Sequence, residues 1–108
     1  MKRWLVLLVF GSLFGSGVRA EFYSGNELYQ RLQSESLIEK SVALGFVAGV
    51  ADTMEGILVC APDFATVGQA RDVVLRHLVL NPQSRHKTAA ALAVDALRAA
   101  WPCRREGK

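Results

Sequence analysis

The stretch "LGFVAGVADTMEGILVCAP", residues 44–62, decides how this chain folds. It is mostly apolar and lacks period-two alternation, so it reads as a helix. Yet it carries Gly45, Gly49 and Gly56 with Asp52 and Glu55, residues that an ordinary core helix avoids. Gly45, Gly49, Asp52 and Gly56 stand at i, i+4, i+7 and i+11, which places them on one line along a helix. Each interior glycine costs up to about 1 kcal/mol relative to alanine. Three of them in line predict a face where a neighbouring backbone comes close, with Phe46, Val50, Met54, Ile57 and Leu58 spread over the remaining buried surface. Membrane helices use the same device, but the longest uncharged run here, Ser41–Ala51, is eleven residues, short of a span. Asp52 is either a catalytic acid or partner contact, or a shielded carboxylate held by a helix N-terminus or an arginine. The second reading is favoured, because a desolvated carboxylate needs partners. Glu55 is expected at the stripe's edge, in solvent.

Working outward, this helix is predicted from about Leu37 to Cys60, stopped by "APDFA", where Pro62 has no amide and disfavours helical geometry at Ala61. Ahead of it, "SGNELYQRLQSES" predicts a short helix capped by Ser24 or Asn26, with Leu28 and Leu32 on one side. Beyond it, Thr66 and Gln69 have the spacing of a capping box and open a third helix. That helix carries Val67, Ala70, Val74 and Leu78 inward and Gln69, Asp72 and Arg76 outward. "NPQS" stops it. A fourth helix is predicted from near Ser84 to Trp101, with Ala90, Ala93, Leu97 and Trp101 on its apolar face, and "PC" terminates it. The fold class is therefore all-α, a small bundle of about four helices closed by one disulfide.

That disulfide follows from cysteine usage and from the ends of the chain. "MKRW", the apolar run "LVLLVFGSLF" and "GSGVRA" read as a secretory leader over residues 1–20, cleaved after Ala20. No cysteine sits at the cleavage point, so a lipoprotein is not expected. Residues 21–108 form a single exported domain, and Cys60 and Cys103 are its only cysteines. In an exporting compartment such a pair is oxidised, and a metal site or free nucleophile would need ligands that the sequence does not supply. Closing a loop of this length stabilises a small fold by about 4 kcal/mol in the chain-entropy description.

The leader also explains the charge. The formal +3 of the whole chain is carried by Lys2, Arg3 and Arg19, so residues 21–108 are balanced. A neutral domain has little electrostatic reason to bind nucleic acid or anionic lipid. No stable membrane insertion is expected once the leader is gone.

Sequence motifs for catalysis are missing. There is no GxSxG, HExxH, phosphate loop or paired-carboxylate pattern, and His77 and His86 have no metal-ligand spacing. His77 is expected to pack beside the apolar side of the third helix, and His86 to lie in the first turn of the fourth. No enzyme activity, cofactor or metal is expected. What remains for recognition is two loops. "CAPDFATVG" presents Asp63 and Phe64, with Thr66 following, beside the disulfide. "NPQSRHK" offers a polar, cationic tip that includes Arg85 and His86. Either loop could equally be a solvated connector.

The pattern "GFVAGVADTMEG…CAPDFATVGQARDVVLRHL…NP…AAALAVDALRAAWPC" resembles the Rap/Tai family of type VI secretion immunity proteins, which includes amidase inhibitors. The similarity runs from about Gly25 to Cys103. It implies a helical framework joined by Cys60–Cys103, within which Gly45, Gly49, Asp52 and Gly56, read above from their spacing, and Trp101 are expected to be structural positions. It also implies a periplasmic protein that is not a catalyst and often acts as a homodimer. Its partner would be a cognate secreted toxin, a cell-wall amidase, neutralised by occlusion of the active-site groove. Two other readings fit a small exported helical domain. A stress or chaperone-like protein would bind many unfolded clients, and a small-ligand carrier would enclose a cavity that close helix approach along the glycine stripe would remove.

Overall fold

The computed structural model describes residues 22–104. The leader read at residues 1–20 falls outside them. Four helices make up the fold, α1 (Gly25–Leu32), α2 (Leu37–Met54), α3 (Val67–Leu80) and α4 (Ala89–Ala100), with a 3₁₀ turn at Pro82–Ser84. The described residues contain no strand, only isolated bridges such as Ser24 to Thr88. Each helix packs against the other three.

Local chemistry starts every helix. Ser24 accepts from the Glu27 amide at 3.1 Å while the Glu27 carboxylate accepts from the Ser24 amide at 2.9 Å. Thr66 and Gln69 form the same reciprocal pair. Ser36 and Thr88 cap α2 and α4 by accepting from the Glu39 and Ala91 amides. Each cap satisfies an amide that the helix itself cannot. The core then assembles from Leu28 and Leu32 of α1, Ala43 and Val47 of α2, Ala70, Val74 and Leu78 of α3, and the Leu92–Leu97 side of α4. No polar or charged side chain among the described residues is buried.

Two helix boundaries differ from expectation. Helix α2 ends at Met54, six residues before Cys60, because Gly56 takes a φ of +80° that only glycine adopts cheaply. The Met54 carbonyl accepts from the Ile57 and Leu58 amides at 2.9 and 3.1 Å, and the Gly56 amide donates to the Val59 carbonyl at 2.8 Å. Gly56 is thus a turn residue and not part of any helix face. Helix α4 begins at Ala89, not near Ser84, because Pro82–Ser84 winds a separate 3₁₀ turn. His86 accordingly lies ahead of the helix, and Ala90, expected inward, is exposed.

The glycine stripe is also corrected. Gly45 and Gly49 are exposed, and a Cβ built on either would meet nothing within 4 Å. The glycine that a neighbour approaches is Gly25, whose Cβ would collide with the Leu92 side chain and lie 2.7 Å from the Arg85 carbonyl oxygen.

The chain closes on itself at the end of α4. The Cys60 amide donates to the Trp101 carbonyl at 2.8 Å, Val59 bridges Pro102 in antiparallel fashion, and Cys60 is bonded to Cys103 with Cα atoms 4.9 Å apart. The sequence separation of 43 makes this the longest-range covalent tie available to the fold.

Candidate functional site

The disulfide tie places three segments around one open groove of about 340 Å³. The last turn of α2 supplies Asp52, the residue that follows the helix is Glu55, the 61–66 loop supplies Asp63 and Thr66, and Trp101 forms part of the wall. Pro62 opens a turn in which the Ala65 amide donates to the Pro62 carbonyl at 3.0 Å, so Asp63 and Phe64 stand at its tip. The loop is held from below as well. Glu55 was expected to be merely solvated, but its carboxylate accepts from the Ala61 amide at 3.2 Å and links the end of α2 to the start of the loop.

Asp52 is corrected in a different sense. It is exposed on the groove wall, and among the described residues the single ion pair is Arg71–Asp72 at 2.7 Å. No shielded carboxylate sits within a glycine seam, because no such seam exists. Asp52, Glu55 and Asp63 therefore contribute three carboxylates to a groove whose lining includes no lysine, arginine or histidine. Carboxylates gathered around an open recess give it a negative potential that favours basic groups.

Phe64 is 92% exposed, an unusual position for a phenylalanine. It stands outside the groove lining, on the outer side of the turn. Large aromatic side chains bury much area at little conformational cost, which is why they dominate binding surfaces. Thr66 lines the groove, but its hydroxyl is already engaged with the Gln69 amide at 3.1 Å. Trp101 is half-buried and packs on the core.

The second loop is not brought to this groove. Arg85 and His86 lie beyond the far end of α3, roughly 20 Å along a 14-residue helix. Arg85 is a packing residue more than a free tip. Its carbonyl accepts from the Asn26 amide at 2.8 Å, and its guanidinium stands 4.0 Å from the centre of the Tyr29 ring. The Arg85 guanidinium beside the ring and, after it, the Gln33 side chain hold the Tyr29 hydroxyl below the ordinary tyrosine range. His86 is exposed. His77 is half-buried in the last turn of α3, where its carbonyl accepts from the Asn81 side chain at 2.8 Å.

Sequence reasoning missed three contributors: Glu55 as the loop's anchor, Gly25 as the close-packed glycine and Arg85 as the partner of Tyr29. Glu55 stands six residues from Ala61, and only the Gly56 turn brings them together. That glycine, next to a carboxylate, was the available signal. The other two depend on packing between α1 and the segment preceding α4, which no local pattern announces.

Among the described residues, no helix is long and apolar enough to cross a membrane, and no group of His, Cys, Asp and Glu is placed to hold a metal. No curated protein matches the chain. The family model of the Rap1a immunity proteins matches residues 24–103, a span that begins at the α1 capping serine and ends at the second cysteine, and so contains all four helices and the groove. The chain belongs to the Rap1a immunity proteins.

Proposed function

We propose that this protein protects a bacterium in its periplasm by binding a type VI secretion toxin, a peptidoglycan amidase, and obstructing its active-site groove. The observation that carries the reading is the 61–66 loop: it is tied by the Cys60–Cys103 bond, anchored by Glu55 and tipped by a phenylalanine that is 92% exposed. A tethered loop loses little freedom on binding, so more of the contact energy appears as affinity. Slow release, which a lethal enzyme demands, then comes from burying Phe64. The carboxylates of Asp52 and Asp63 face basic groups around the toxin's groove and speed the encounter. In this role the protein itself performs no catalysis. Family membership and the disulfide support an oxidising compartment, and the leader at residues 1–20, cleaved after Ala20, is the proposed route there. A second copy of the chain is part of this reading, as the resemblance implies.

Arg85 and His86, on the second loop, enter this reading only as secondary contacts, since Arg85 stacks on Tyr29 at 4.0 Å and both lie away from the 61–66 loop. The test is a survival assay with the toxin directed to the periplasm. The Asp63→Ala, Phe64→Ala double variant is expected to lose protection, with toxin affinity reduced at least tenfold and its melting temperature unchanged. Full protection by the double variant would remove this loop from the site.

A further inference from the structure

The groove beside the 61–66 loop has an apolar floor and an acidic rim. Ala48, Ala51, Ala61, Ala65 and Ala70 line the floor, each partly or fully withdrawn from solvent, and Trp101 stands in the wall. Asp52, Glu55 and Asp63 are all exposed at the opening. One Glu55 oxygen is engaged by the Ala61 amide, and neither Asp52 nor Asp63 belongs to the single ion pair among the described residues. No lysine, arginine or histidine lines the recess to offset them.

We propose that this groove receives one arginine side chain from the surface of the toxin. The inference rests on the toxin binding proposed above and adds a second contact to it, in which this protein is the receptor and the toxin supplies the plug. Long basic side chains lay their aliphatic stems along apolar surface and hold the charge at its edge. An alanine floor below a carboxylate rim is the complement of such a side chain. At about 340 Å³ the recess is at the small end of ligand-sized cavities, with room for one side chain and not for a helix.

The spread of the rim selects the head group. No group of His, Cys, Asp and Glu among the described residues is placed to hold a metal ion, so the carboxylates suit a diffuse charge better than a compact one. A guanidinium is a planar, weakly hydrated fork of donors, whereas a lysine ammonium is a strongly hydrated point charge. The guanidinium also stacks on an indole, which Trp101 supplies. Position makes the occupant a side chain of a protein. Asp63 on the rim and Phe64 at the tip are consecutive residues of one turn, so a partner that buries Phe64 brings its own surface over the opening. Once covered, the charge pair acts on release as well as on encounter, because losing one partner of a desolvated pair speeds dissociation.

The experiment uses Trp101, the one tryptophan of the chain from Glu21 onward, whose fluorescence reports on the groove alone. The probe is N-acetyl-arginine N-methylamide, compared with its citrulline analogue, which has nearly the same shape and no charge. The arginine probe is expected to shift the emission saturably, with the millimolar Kd of a single side chain, and the citrulline probe to leave it unmoved. Asp52→Asn, and Ala48→Leu, which fills the floor and leaves every charge in place, should each weaken the response about tenfold at wild-type far-ultraviolet circular dichroism. Asp63→Asn replaces either variant that fails this folding check. No response to arginine, or an equal one to citrulline, overturns the seat. Binding kinetics with a type VI secretion peptidoglycan amidase then test the occupant: Asp52→Asn is expected to raise the dissociation rate about tenfold. An unchanged rate shows that the toxin does not use the groove and overturns the proposal. If wild type binds no amidase, the function proposed above falls, whereas a groove that still takes the arginine probe keeps its seat and loses only the toxin as its source.

Discussion

Two residues carry more of the fold than their chemistry announces. Gly25 sits where the start of α1 meets α4 and the segment before it, with its amide donating to the Lys87 carbonyl at 2.8 Å. A methyl group there meets the Arg85 carbonyl, which cannot rotate away as a side chain can. Gly25→Ala is expected to destabilise by about 1–3 kcal/mol, the usual range for overpacking, and urea denaturation at fixed protein concentration measures it. Arg85 acts on the same junction through Tyr29. Because the folded state lowers the Tyr29 pKa, it binds that proton less tightly than the unfolded chain does. The associated stability is present above the ordinary tyrosine pKa and is lost as pH falls through the lowered folded value. In an ultraviolet titration of the chain from Glu21 onward, Arg85→Gln should move the Tyr29 transition upward. A Tyr29 transition left unmoved by Arg85→Gln would contradict the contact.

At the level of elements, the caps were legible because they are local. Thr66 with Gln69 reads as a capping box and Ser24 as one of two possible caps, and the structure forms the first and adds Glu27 as the partner of Ser24. Removing the hydroxyl in Thr66→Ala should cost about 1 kcal/mol, visible as a lower melting temperature, whereas Thr66→Ser should retain most of it. Helix α2 was harder to read. Its existence was plain, but a helix apolar all round gives no sign of which side meets the core, so an open glycine face and a packed one look alike in sequence. Its end was misplaced for a related reason. Pro62 is a strong stop, yet Gly56 intervenes first, and a glycine at i+11 of an apparent stripe also fits a helix until its φ is known. The loop's composition singles out Asp63 and Phe64 as candidates, but the groove beside them exists only because that earlier turn folds Glu55 under Ala61.

On the scale of the whole molecule, the cysteines were the clearest signal, since two cysteines leave one pairing, and the structure forms it. The bond does more than add stability. It fixes the segment after α2 to the segment after α4, and with the Cys60–Trp101 hydrogen bond it forms the base from which the 61–66 loop projects. Replacing both cysteines with alanine should lower the unfolding free energy by about 4 kcal/mol, given a loop of this length, and chemical denaturation gives the value. Toxin affinity should fall further than that of a variant equally destabilised at Leu97, because only the former loosens the loop. The most direct measurement is a titration of the activity of the proposed partner, a type VI secretion peptidoglycan amidase, with the oxidised chain from Glu21 onward. Hydrolysis is expected to fall in proportion to added protein and stop at one loop per toxin. Undiminished cleavage in the presence of excess protein would contradict inhibition by occlusion.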